Sequence, residues 1–80
     1  MSPVETIVAE VADIHLIRPD ELVGPCRRRD LVDARSEAAH RLFEETDLRL
    51  WQIGEVLGGR HHSSVINLIQ RHETRVGRTS

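Results

Sequence analysis

The sequence predicts an all-α fold, a compact bundle of four to five helices that contains a helix-turn-helix. Apolar residues recur at three- and four-residue spacing in each long segment, and no stretch alternates as a strand would. The pair Gly58-Gly59 separates two short amphipathic segments, as a turn between helices requires. The length of 80 residues fits one domain. We expect that domain over residues 1–76, with a frayed tail over 77–80.

The first helix is predicted over residues 3–15. Ser2 and Glu5 have capping-box spacing, and Pro3 takes the first helical position, where a missing N–H costs nothing. The apolar positions that follow at helical spacing are Val4, Ile7, Val8, Val11 and Ile14. Between 17 and 23 the sequence permits one short helical turn, which Pro19 starts and Gly24-Pro25 closes.

A basic stretch, Cys26 to Asp30, precedes a second long helix that we expect to end near Thr46. Its predicted apolar stripe is Leu31, Ala34 or Arg35, Ala38, Leu42 and Phe43. Alanines in this stripe would let a neighbouring helix approach closely. His40 is expected on the surface of this helix.

The segment from Leu50 to His72 has the pattern of a helix-turn-helix. A helix is predicted from Leu50 to Leu57 and, after the two glycines, a second helix with an apolar face. That face is Val65, Ile66, Leu68 and Ile69, opposite Asn67, Gln70 and Arg71. Trp51 is expected to be a partly buried packing residue.

The start of the second helix offers short polar side chains, namely Arg60, His61, His62, Ser63 and Ser64. Such residues suit the major groove, because they reach base edges and carry donors or acceptors. An ordinary helical hairpin with a solvated polar cap would show the same pattern, so the pattern alone leaves both interpretations open.

Charge is unevenly distributed along a chain whose net charge is −2. Residues 25–35 hold four arginines and two aspartates, and residues 58–80 hold four arginines and one glutamate. Local patches of this kind are compatible with a nucleic-acid face. All eleven basic residues are arginine, which excludes Schiff-base lysine chemistry and a lysine-dependent phosphate loop.

Other features limit the partners and the compartment. The single cysteine fits a reducing cytosol, and no apolar run approaches the length of a membrane span. We therefore expect a cytoplasmic protein with no membrane partner. Histidines 61, 62 and 72 lack the spacing of zinc ligands, and neither Cys26 nor Ser63 belongs to a catalytic motif. We expect no metal, no cofactor and no catalytic activity.

The stretch Gly58-Gly59-Arg60-His61-His62-Ser63-Ser64-Val65 resembles a family signature. It is similar to Gly-Gly-Arg-Asp-His-Thr-Thr-Val of the C-terminal DNA-binding domain of the bacterial replication initiator DnaA. The similarity extends upstream through Ile53-Gly54, Arg35 and Arg27 to Arg18-Pro19-Asp20-Glu21-Leu22, and so covers about residues 4–72. It implies a Trp-repressor-like, DnaA C-terminal type of fold and sequence-specific binding of double-stranded DNA in replication initiation or its regulation.

The resemblance also implies roles for single residues. Arg27 would enter the minor groove, where a narrow groove concentrates negative potential. Arg35 would contact the major groove and phosphates, and Arg60 a phosphate or the fold itself. His62, Ser63 and Ser64 would contact bases and backbone. Arg28, His61 and Asn67 complete the set of residues that we expect to contact DNA.

Four positions depart from the family pattern. His61 stands where many members have aspartate, Ser63 and Ser64 replace threonines, and Ser36 stands where the family has glutamine. We therefore expect binding to DNA with a preference different from the initiator's usual box. The alternative is a protein-interaction adaptor, which would use the acidic first helix or the helix-turn-helix surface to engage a replication or regulatory protein.

Overall fold

A computed structural model describes residues 2–26 and 28–75. Arg27 and the tail predicted to fray, residues 77–80, lie outside the described residues. The described part forms five helices and no strand. The helices are α1 (Pro3–Ile14), α2 (Pro19–Leu22), α3 (Arg29–Glu45), α4 (Leu50–Val56) and α5 (His62–Arg75). The predicted all-α fold with a helix-turn-helix is thereby confirmed.

The start of α1 follows the predicted capping box. Ser2 Oγ accepts a hydrogen bond from the Glu5 backbone N–H at 3.2 Å, and the Ser2 N–H donates to Glu5 Oε1 at 3.3 Å. Two backbone donors that the first helical turn cannot satisfy are thus bonded locally. Ile7 and Val11 on the opposite face are buried in the core.

Helix α3 lies between α1 and α5 and contacts both. Its alanines 34, 38 and 39 are fully buried, so the neighbouring backbones come close. One ion pair links α3 to each neighbouring helix. Arg41 Nη2 of α3 lies 2.8 Å from Glu10 Oε1 of α1, and Arg71 Nη2 of α5 lies 3.1 Å from Asp33 Oδ1 of α3. Helix α3 therefore sets the position of α5 relative to the rest of the chain.

One core joins all five helices. Its buried side chains are Ile7, Val11, Leu22, Ala34, Ala38, Ala39, Leu42, Ile53, Leu57, Val65 and Ile69. In the described part of the chain, no helix is long and apolar enough to cross a membrane.

Several expectations about exposure were wrong. Ile14 of α1 and Ile66 of α5, both predicted on apolar faces, are 62% and 36% exposed. Phe43 and Trp51 are 48% and 59% exposed, because the stripe that meets the core runs through alanines and Leu42 on α3 and through Ile53 on α4. His40, expected on the surface, is only 8% exposed. It faces α5, where its ring centroid lies 4.8 Å from that of His72.

Candidate nucleic-acid interface

The turn between α4 and α5 depends on two glycines with left-handed backbone angles. Gly58 has φ +95° and Gly59 has φ +81°, values that cost a residue with a side chain conformational energy. The carbonyl of Gly54 accepts from the N–H groups of Gly59 and Arg60, both at 2.9 Å. A Cβ on Gly54 would lie 2.1 Å from the Arg60 carbonyl oxygen, so the turn folds directly onto α4.

Helix α5 presents its first turn to solvent. Val65 is fully buried and Ile69 is 8% exposed, which anchors the helix by one face. The structure brings His61, His62, Ser63 and Ser64 together at one exposed end of the helix, as the sequence predicted. We call this group the reading end.

The two histidines of the reading end differ in their hydrogen bonding. His61 Nδ1 accepts from the Ser63 backbone N–H at 3.2 Å. In the neutral ring the proton must then lie on Nε2, because an accepting ring nitrogen carries none. The ring of His62 lies beside it, with centroids 4.1 Å apart and planes tilted by 35°. His61 thus offers an N–H donor beyond the start of α5.

A polar cleft continues from the reading end along α5. Asn67 is exposed, and the cleft around it lies between α5 and the start of α3. Its lining residues are Arg29, Asp33, Asn67, Gln70, Arg71, Thr74 and Arg75. An adjoining cleft shares Asn67 and Arg71 and also contains Ser64 and Arg60.

Sequence reasoning did not select Arg29 and Arg71, which line this cleft. Arg71 follows Asn67 by four residues, a spacing that places both on one helix face and could have indicated it. Arg29 lies in the basic stretch Cys26 to Asp30, but only the packing of α3 on α5 brings it to the cleft.

Arg28 lies on the exposed surface just before α3. Its Nη2 is 3.3 Å from Asp30 Oδ2 and 3.6 Å from Glu21 Oε2, so local carboxylates offset part of its charge. Exposed pairs of this kind are weak, which leaves Arg28 able to exchange them for a phosphate.

Arg35 is placed inside the fold, not on the surface. Its side chain is 2% exposed, and its Nε donates to the Leu22 carbonyl at 2.6 Å. Nη2 donates to Glu21 O at 2.9 Å and Gly24 O at 2.8 Å, and Nη1 donates to Cys26 O. Contact with the major groove would require this guanidinium to leave four carbonyl oxygens, and that predicted contact stays a prediction.

Arg60 also faces the loop between α2 and α3. Its Nη2 donates to the Gly24 carbonyl at 2.8 Å, and its Nη1 donates to Leu57 O. Gly24 O therefore accepts from both arginines. This geometry matches the structural half of the role expected for Arg60; the phosphate contact stays a prediction.

Comparison with known proteins gives a consistent picture. The sequence matches the family described as bacterial dnaA protein helix-turn-helix over residues 4–71. It is similar to the chromosomal replication initiator protein DnaA of Cutibacterium acnes, with 43% identity over 63 residues, which cover 79% of this chain and 13% of that protein. No solved structure matches the chain.

Two further relatives carry the same name. The Thermomicrobium roseum protein is 47% identical over 53 residues, which cover 66% of this chain and 11% of that protein. The Thermus thermophilus protein is 38% identical over 65 residues, with 81% and 15% covered. The chain thus spans only a small part of the length of the curated relatives that it matches.

Proposed function

This chain belongs to the bacterial DnaA helix-turn-helix family, and we propose on that basis that it binds double-stranded DNA sequence-specifically. The proposed setting is the bacterial cytoplasm, in replication initiation or its regulation. The observation that carries the proposal is the reading end, which consists of four adjacent polar residues at the exposed start of α5. The opposite face of α5 is buried in the core through Val65 and Ile69 and holds the helix in place. In a helix-turn-helix, this end of the second helix enters the major groove.

Each part of the surface has a proposed role. His61, His62, Ser63 and Ser64 contact base edges and neighbouring phosphates, and Asn67 continues the contact along the groove. Arg28 binds a phosphate from the loop, and Arg27 enters the minor groove, as the family resemblance implies.

His61 is the residue that we propose alters base preference. Aspartate in its place would accept a hydrogen bond, for example from cytosine N4. The His61 ring uses Nδ1 within the protein, so the outer nitrogen is a donor. A donor suits guanine O6 or N7, which supports a site that differs from the initiator's usual box.

A salt titration on duplex DNA tests the proposed function. The logarithm of the binding constant should fall with the logarithm of salt concentration with a slope of about −0.9 per phosphate contacted. Arg28→Ala should flatten the slope by up to about one unit, whereas Ser63→Ala should cost about 1–3 kcal/mol on the preferred site and little on random DNA.

The control is Arg18→Ala, an exposed arginine before α2 that lines none of the clefts beside α5. If the wild-type chain shows no duplex binding at low salt, the proposal fails. The adaptor alternative, which uses the acidic face of α1, would then be the one to pursue.

A further inference from the structure

The guanidinium group of Arg35 is buried inside the fold. Removing such a cation from water costs several kcal/mol unless its donors are satisfied. Here four carbonyl oxygens satisfy them, and all four belong to residues 21–26. A planar guanidinium has donors in a fixed fork, so it constrains the relative positions of the carbonyls that it binds.

The bonded residues form one continuous segment. Glu21 and Leu22 end α2, while Gly24 and Cys26 lie in the stretch that leads toward α3; we call residues 23–26 the α2–α3 loop. Since Arg35 lies on the second turn of α3, its side chain ties this loop to the helix that follows it.

A second contact ties the loop to the turn before α5. Arg60 donates to Gly24 O at 2.8 Å, the same oxygen that Arg35 binds at 2.8 Å. At Gly58 a Cβ would lie 2.0 Å from the Val23 carbonyl oxygen, so the loop and the turn touch through their backbones. Gly24 O thus accepts hydrogen bonds from α3 and from the turn that directly precedes the reading end.

The arrangement brings two cations together. Burial, and after it the charge of Arg60, lower the pKa of Arg35 from its ordinary value. An apolar side chain in this place would avoid both costs but could not hold four carbonyls at fixed positions. The arrangement is therefore better suited to fixing the loop than to adding stability.

We propose that Arg35 is a positioning residue that holds the α2–α3 loop at a set distance from the reading end. The proposal rests on the proposed DNA binding, because its consequence is that Arg28 and the reading end can engage one duplex together. Arg35 thus contributes to affinity through the loop, and not as a cation that touches phosphate.

The first experiment needs no DNA. Cys26 is the single cysteine and is exposed, so a nitroxide label can be attached within the loop itself. Arg35→Lys keeps the charge but cannot bind four carbonyls. We expect its electron paramagnetic resonance spectrum to gain a large mobile component relative to wild type.

The matched control carries the label on exposed Ala9 of α1, as Ala9→Cys in a Cys26→Ser background. That spectrum should not change with Arg35→Lys. An unchanged Cys26 spectrum, in a variant whose circular dichroism shows the native helix content, would overturn the proposal.

The second experiment is a double-mutant cycle on duplex DNA. In the wild-type background Arg28→Ala should weaken binding by roughly five- to tenfold at 0.1 M salt, the effect of about one phosphate contact. In the Arg35→Lys background the same change should have an effect under twofold, because the loop is no longer in place.

Two outcomes of the double-mutant cycle would contradict the proposal. If Arg28→Ala keeps its full effect beside Arg35→Lys, Arg35 does not act through the loop. If Arg35→Lys alone keeps wild-type affinity, its charge suffices and positioning is not needed. Absence of duplex binding by the wild type would overturn the proposed function, while the spectra would still report on the loop.

Should Arg35→Lys fail to fold, Arg60→Lys replaces it in both experiments. Arg60 is half-buried and donates one of the two arginine hydrogen bonds that Gly24 O accepts. We therefore expect a smaller gain in the mobility of the Cys26 label and a partial loss of the effect of Arg28→Ala. No change in either measurement would overturn the proposal through this variant as well.

Discussion

The two ring nitrogens of His61 have different hydrogen-bonding roles. Nδ1 accepts from the backbone at the start of α5, so Nε2 is left as the donor that faces outward. A carboxylate at this position could also accept the hydrogen bond from the Ser63 N–H, but its second oxygen would then offer DNA an acceptor and not a donor. The exchange of one residue can therefore reverse the hydrogen-bonding character of the reading end without disturbing the helix.

We predict that His61→Asp moves the base preference toward the initiator's usual box. The measurement is a selection from random duplexes, with the wild type and His62→Ala run in parallel. His62→Ala should weaken selection without producing the same new preference. Identical selected sites for His61→Asp and wild type would remove His61 from the residues that determine specificity.

Gly58 and Gly59 share positive φ angles but differ in their surroundings. A Cβ on Gly58 would lie 2.0 Å from Val23 O, whereas a Cβ on Gly59 would meet nothing within 4 Å. The first glycine is thus required by conformation and by contact, and the second by conformation alone.

Accordingly, Gly59→Ala should lower the free energy of unfolding by about 1–2 kcal/mol, the cost of a left-handed residue with a side chain. Gly58→Ala should cost clearly more, about 3 kcal/mol or above, since backbone must also move. Urea unfolding of the two variants checks this. Equal losses would mean that the loop and the turn are not in the contact described.

At the scale of elements, α5 depends on burying one narrow face. Ile69 is 8% exposed, while Ile66 on the same helix is 36% exposed. Because the same residue type occupies a buried and an exposed position of one helix, substituting each in turn separates the effect of burial on stability from the effect of helix propensity.

Ile69→Ala should therefore lower the free energy of unfolding by about 2–5 kcal/mol, the usual cost of emptying a core site. Ile66→Ala, on the same helix, should cost below about 1 kcal/mol. Urea unfolding at pH 7 measures both. If the two variants were equally stable, the assignment of the buried face would be incorrect.

The contact of α1 with α3 contains a pH-dependent ion cluster. Arg41 lies 2.9 Å from Glu45 Oε2 and 2.8 Å from Glu10 Oε1. Its hydrogen bond to Glu45 lowers the pKa of that carboxyl from its ordinary 4.5. Because the pKa is lower in the folded state, the stabilisation is present above about pH 4.5 and is lost as the pH falls through the folded-state pKa.

Glu45→Gln should therefore reduce stability at pH 7 but flatten its decline on acidification below pH 4.5. Urea midpoints from pH 7 down to pH 3 provide the test, with Glu44→Gln, an exposed neighbour on α3, as the control. A decline as steep in Glu45→Gln as in wild type would exclude the ion cluster as its source.

At the scale of the whole molecule, the acidic face of α1 and the arginine-lined cleft beside α5 lie on different sides of α3. The acids Glu5, Glu10 and Asp13 belong to α1, whereas the cleft with Arg29 and Arg71 lies where α3 meets α5. Screening at physiological salt limits interactions to about 8 Å. A net charge of −2 therefore need not oppose the approach of DNA to the basic side.

We predict that Glu5→Gln combined with Asp13→Asn changes duplex affinity by less than about twofold at 0.15 M salt, because salt screens these charges from the bound DNA. Arg71→Ala, across the molecule, should weaken binding and lower the salt slope by up to about one unit. Fluorescence anisotropy on one duplex measures both. A large gain from removing the α1 acids would show that the two sides are not independent.

The helices and the reading end could be predicted from the amino-acid sequence, because both depend on local chemistry. Helical spacing of apolar residues, the box formed by Ser2 and Glu5, and the glycine pair after α4 act within a few residues of one another. The family signature likewise lies in one continuous stretch, so the candidate interface at 60–64 could be selected without coordinates.

Which long side chains face inward could not be predicted in the same way, because it depends on how the helices pack. Arg35 and His40 are polar, yet both are buried, because carbonyls at the end of α2 and in the loop before α3 satisfy the first and α5 covers the second. Phe43 and Trp51 are apolar, yet about half exposed, because the faces of α3 and α4 that meet the core are formed by other residues. Partners of this kind come from contacts between helices distant in sequence, and no local pattern encodes them.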